Sequence, residues 1–173
     1  MDTSKILEIL TYTIPAVVTG AIALYFFKYH TDNEEKRRNF LLRKEKQNIS
    51  LPLRFQAYER MALFLERISP SKLLIRVKPS GKNKTNYQNK LIQNIEQEFE
   101  HNLVQQIYIT DAAWNAVVTA KNSLIQIIRN TTADESIEDA EQLREKIIQI
   151  SLKQESPSSA ALSFIKNEVK KHY

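Results

Sequence analysis

Hydrophobic and polar positions follow two different patterns along this chain. From Ile9 to Phe27, nineteen successive residues carry no charge, and their hydrophobicity runs all round a helix. Beyond Ser50, apolar residues recur at the three- and four-residue spacing of helices with one buried face. The first pattern predicts a membrane anchor over residues 1–30, marked by Ile9, Pro15, Gly20 and Phe27. With Ile6 and Leu7 the run suits a hydrocarbon core of about 30 Å, which takes roughly 20 helical residues. Pro15 and Gly20 are tolerated in such helices, and Tyr12, Tyr25 and Tyr29 stand near the ends, where amphipathic rings favour the interface. A cleaved signal peptide fits less well. Asp2, Lys5 and Glu8 precede the run, and it closes in Tyr25-Phe26-Phe27-Lys28 without a small-x-small site. A buried core helix fits less well too, because of the basic exit flank. From Lys28 to Lys46, seven bases stand against four acids, whereas only Lys5 precedes the run. The positive-inside rule then puts the N-terminus outside and the remainder in the cytoplasm.

Residues 31–49 read as a charged juxtamembrane stalk, with Phe40, Leu41 and Leu42 its apolar cluster. Residues 50–173 read as a helical domain. Ser50-Leu51-Pro52 is a helix-start signal. One face follows as Leu51, Phe55, Tyr58, Ala62 and Leu65, with a second row of Ala57, Met61, Phe64 and Ile68 beside it. Ser69-Pro70 repeats the signal and predicts a short helix over 71–77; a strand through Leu73, Leu74, Ile75 and Val77 is the alternative. Residues 78–86 read as a loop around Pro79, Ser80 and Gly81. A helix over 87–106 carries the stripe Leu91, Ile95, Phe99 and Leu103. Thr110-Asp111 caps the next, whose core face is Ala113, Trp114, Val117, Leu124, Ile127 and Ile128. Asn130 to Ala133 reads as a turn and Asp134 to about Lys153 as a helix with five acids in its N-terminal turns, where the dipole favours them. Ser156-Pro157 opens the last helix, through Ala161, Leu162, Ile165 and Val169. The expected fold is all-α: an N-terminal transmembrane helix, then a compact bundle of about five or six helices.

Composition narrows the chemistry. In 173 residues cysteine is absent and glycine occurs twice. No disulfide framework, thiol nucleophile or Cys-ligated metal is possible. The isolated Gly20 and Gly81 make no phosphate-binding loop and argue against hairpin-rich β folds. Glu98-Phe99-Glu100-His101 contains a Glu-x-x-His pair, but di-iron bundles need two such pairs and two further glutamates. His30 and His172 lack a glutamate three residues before them, so no metal or other cofactor is expected unless two copies share one. Glu59 and Glu66 fall on one helical face about 10 Å apart, and read as rim carboxylates rather than an acid–base pair. No serine triad is supported, and no enzymatic activity is expected.

Charge is the stronger signal. Arg67 to Lys90 holds seven bases and no acid, so Lys72, Arg76, Lys78, Lys82, Lys84 and Lys90 are candidates for binding an anion or a partner. Anionic lipid suits these better than nucleic acid, because aromatic residues are not interleaved with them and the net charge is only +5. Asp134, Glu135, Glu138, Asp139 and Glu141 form an opposing acidic patch. Two such faces suit head-to-tail pairing between copies or a charged partner.

The stretch from Leu51 to Pro70, with Glu98 to Trp114, resembles an uncharacterised family of small bacterial proteins found in Bacteroidota. That resemblance implies an N-terminal membrane segment and a helical domain over nearly the whole chain, and no activity or ligand. The expected function is a non-enzymatic interaction or assembly module at the bacterial inner membrane. Its expected partners are the membrane, another membrane or cytoplasmic protein, and further copies of itself.

Overall fold

The computed structural model describes the backbone of residues 3–172; side chains are described except at 3–10, 12, 16, 46–49 and 172. Among the described residues there are six α-helices and no strand. They are α1 (Thr3–Ile68), α2 (Pro70–Arg76), α3 (Lys84–Glu100), α4 (Asp111–Ala133), α5 (Ala140–Lys153) and α6 (Pro157–His172), with a 3-10 turn at Leu103–Ile107. Packing divides the chain into two units, Met1–Ser50 and Leu51–Tyr173.

In the first unit the described side chains are exposed throughout. Thr19 donates its hydroxyl to the Pro15 carbonyl, and Thr31 to that of Phe27, each at 2.8 Å, so both polar groups are satisfied within the helix. In the second unit one core joins all the helices. Met61, Phe64, Leu65 and Ile68 of α1 are almost fully buried, with Leu91 and Ile95, Val117 and Leu124, Leu143 and Ile147, and Ala161 and Ile165. The row containing Ala57, Met61, Phe64 and Ile68 is therefore the innermost one, while Leu51 and Phe55 stay exposed. Helix α4 packs against α3, α5 and α6, and α5 also contacts α2 and α3. Phe99 stacks on Trp114 at 5.3 Å and meets Phe64 at 5.8 Å. Lys121 sits 4.6 Å over the Phe99 ring while binding both oxygens of Glu96.

Several element ends differ from the sequence reading. Helix α1 continues through Ser50-Leu51-Pro52, so this signal starts no helix, although the boundary between the units falls there. A proline inside a helix removes one backbone hydrogen bond without necessarily ending it. The short helix after Ser69 is present, so Leu73 to Val77 form no strand. Helix α3 starts at Lys84, because Asn83 caps it by accepting from the Asn86 N–H, and stops at Glu100. Leu103 thus leaves the stripe and is exposed.

Residues 130–133 form the last turn of α4 rather than a break. Thr131 and Thr132 donate to the carbonyls of Ile127 and Ile128, which satisfies their hydroxyls inside the helix and lets both be buried. Residues 134–139 form the connection instead. Asp139 is the true cap of α5, accepting from the N–H groups of Glu141 and Gln142, and only Glu141 of the five acids lies in the first turn. Among the described residues none has a positive φ, and a Cβ at Gly20 or Gly81 would meet nothing within 4 Å.

Candidate functional site

The basic stretch is distributed over the end of α2, the 77–83 loop and α3. Three of its six candidate cations are engaged within the chain. Lys72 pairs with Glu66, and its hydrogen bond holds that carboxyl below its ordinary range. Arg76 pairs with Glu98 at 3.2 Å, and Arg67 reaches the same oxygen at 2.7 Å, so one carboxylate ties α1, α2 and α3 together. Lys84 donates to the backbone carbonyls of Ile137 at 2.6 Å and Asp134 at 3.1 Å. Beside it, the Ala140 N–H donates to the Lys82 carbonyl. Lys78, Lys82 and Lys90 are exposed, and no ion pair involves them among the described residues.

The basic and acidic segments thus meet inside one molecule. Asp134 is held below its ordinary pKa first by the Ser136 hydroxyl, then by the Ser136 N–H, with smaller help from Lys146 and Lys84. Arg144 extends the join, bonding Glu141 at 2.8 Å and the Leu74 carbonyl at 3.2 Å.

The Glu-x-x-His pair is taken apart by its surroundings. Glu98 is held by two arginines, whereas His101 is the exposed cap at the end of α3. Among the described residues no group of three or more histidines and carboxylates stands close enough to hold a metal ion. Glu59 and Glu66 line one open groove with Arg60, Leu162 and Lys166, and Glu66 is bound there to Lys72.

Sequence reasoning missed Glu168. Its residue is nine-tenths buried, and one carboxylate oxygen accepts from Tyr58 Oη at 3.1 Å and from the Thr110 hydroxyl. Its second oxygen is buried and has no hydrogen-bond partner. Thr110 also caps α4, accepting from the Ala113 N–H, so Glu168 lies where the helix dipole favours a negative charge. The signal was available: Ala161, Ile165 and Glu168 are spaced four and three apart, which puts an acid on the buried face of α6.

Next to this cluster an apolar groove of about 390 Å³ lies between α1 and α6. Tyr58 and Ala62 line one side and Ile165 and Val169 the other, with Lys166 and Lys170 at the edge.

In the N-terminal unit, Ile14, Val17, Val18, Ile22, Leu24, Phe26 and Phe27 are each more than half exposed. Among the described residues no helix is long and apolar enough to cross a membrane. Ile9, Leu10, Tyr12 and Ala16 of the uncharged run lie outside the described side chains.

No curated protein and no solved structure is similar to this chain. Residues 4–172, almost its whole length, match a family of unknown function, DUF7935, and the chain belongs to that family.

Proposed function

We propose that this protein is a membrane-anchored, non-enzymatic interaction module. One observation carries the reading: the apolar side chains of α1 from Ile14 to Phe27 are exposed on every side. At about 100° per residue, Val17, Val18, Ile22, Leu24 and Phe27 point in widely different directions. A single neighbouring helix covers one stripe only; lipid covers all of them. The uncharged run of Ile9–Phe27 measures about 28 Å as a helix, close to a hydrocarbon core. The internal hydrogen bond of Thr19 suits a medium that offers no partners.

The lysines and arginines following the run argue for an inner membrane with the N-terminus outside and Leu51–Tyr173 in the cytoplasm. Within the basic stretch, Lys78, Lys82 and Lys90 are exposed and in no ion pair among the described residues, which leaves them free for an acidic partner or an anionic leaflet. No cluster of side chains described above has the arrangement of a nucleophile and its base.

The test is extraction of cell membranes with alkaline carbonate, followed by labelling of single cysteines with an impermeant thiol reagent. An integral anchor stays in the pellet. Thr3→Cys should label in intact cells, and Gly81→Cys, where a side chain meets no neighbour, should label only after lysis. Release by carbonate removes the anchor, and the opposite labelling pattern reverses the orientation.

A further inference from the structure

We propose that the groove between α1 and α6 binds a long-chain fatty acid. The acyl chain lies along the apolar walls, and the carboxylate sits at Lys166 and Lys170. The site lies wholly within Leu51–Tyr173, so the inference stands whether or not residues 9–27 enter a membrane.

The size and lining are those of a ligand pocket. A volume of about 390 Å³ lies within the range of small-molecule sites, which combine apolar walls with a few placed polar groups. Here the walls are Phe55, Tyr58 and Ala62 facing Ile165 and Val169. The one polar atom on those walls is the Tyr58 hydroxyl, and it is committed to Glu168. That bond, shared with Thr110, fixes the tyrosine ring, which is almost fully buried and so forms the floor of the groove.

The charges at the edge choose the ligand's head. Lys166 and Lys170 are one turn apart on the same face of α6, and neither has an ion-pair partner at salt-bridge distance among the described residues. Like charges at this spacing destabilise a helix, and an anion held between them relieves the repulsion. Glu59, on the α1 side, is the one acid among the lining residues, which gives the rim itself an excess of one positive charge above the buried Glu168 carboxylate. Glu66 lies near enough for the charge of Lys166 to reach it, so Lys170 is the less compensated of the two. An uncharged amphiphile gains nothing from this edge, and a cationic one is repelled by it. One carboxylate on one acyl chain matches both the walls and the pair of lysines.

The full chain, reconstituted in phosphatidylcholine vesicles, is irradiated with a diazirine-bearing palmitate and the adducts are mapped by mass spectrometry. The expected result is adducts within 55–62 and 162–170. Excess palmitate should reduce them at least tenfold, and hexadecanol, which has the same chain but no charge, should not. Ala62→Phe, which fills the groove, should abolish them. Lys166→Glu with Lys170→Glu, at exposed positions that leave the core intact, should weaken them at least tenfold, and the double arginine variant should retain them. Adducts confined to residues 9–29 report probe dissolved in the bilayer and overturn the proposal. Equal competition by hexadecanol, or adducts unchanged by the glutamate pair, overturns it as well.

Discussion

Two stretches of α1 are both rich in apolar residues, and they meet opposite fates. Between Ile14 and Phe27 the large hydrophobic side chains are exposed; between Ala57 and Ile68 most are buried. Apolar content does not separate them, but the placing of polar residues does. Gln56, Glu59, Arg60 and Arg67 give the second stretch an outward side, and all four are exposed while Ala57, Met61, Phe64 and Ile68 face the core. The first stretch has no charged residue to mark an outward side, so no rotation about its axis hides the apolar surface against one neighbour. Burial therefore follows from asymmetry around the helix, and hydrophobicity alone does not produce it.

The most drastic way to break the comparison is to separate the two units. A chain beginning at Leu51 keeps every buried core residue among those described, and should unfold cooperatively in water without detergent; non-cooperative melting by circular dichroism would show that the core needs the first fifty residues. Next come matched truncations within the full chain. Phe64→Ala should destabilise the Leu51–Tyr173 unit by about 3–5 kcal/mol in a denaturant titration. Phe26→Ala should leave that midpoint unchanged, because Phe26 is 71% exposed.

A smaller effect is expected at the cap of α5. Asp139→Ala should cost about 1 kcal/mol, and Asp139→Asn should restore most of it. Another concerns Tyr87, whose hydroxyl donates to the Val77 carbonyl at 2.8 Å. Burial pushes its pKa up from 10 to about 12. A phenol raised in this way contributes fully below pH 10, and loses its contribution as the pH climbs toward 12. Unfolding followed between pH 9 and 12 should show that decline, and Tyr87→Phe should flatten it. The smallest change is Gly81→Ala, expected to stabilise by about 0.4–1 kcal/mol by restricting the unfolded chain, with no strain in the fold.

The one-sided helices were legible in the sequence because their periodicity is a direct record of burial. Leu91 and Ile95, Val117 and Leu124, and Ala161 and Ile165 all lie where their spacing put them. Helix ends were less legible because they depend on hydrogen bonds that composition does not reveal. Thr131 and Thr132 resemble turn residues until their hydroxyls are seen bonded back into α4. Asp134 and Asp139 both suit a cap, and only the latter meets the first N–H groups of α5.

The charged stretch was legible as a count but not as a surface. Nothing local in the sequence shows that Arg76 meets a glutamate 22 positions later, or that Lys84 meets carbonyls some 50 positions away. The groove needed the pairing of α1 with α6, again a long-range relation. Glu168 alone carried a local warning, as an acid in a buried register.

The backbone of this protein contains no left-handed residue among those described, glycine included. The consequence concerns how such a sequence can drift. Relatives that replace Gly20 and Gly81 keep every connection, since neither position requires the missing side chain. Relatives that lose Asn83, Thr110 or Asp139 must supply another acceptor at the same helix start. At the starts of α3, α4 and α5 the punctuation between helices is written in oxygen atoms of side chains. The positions to compare across relatives are therefore those three, ahead of either glycine.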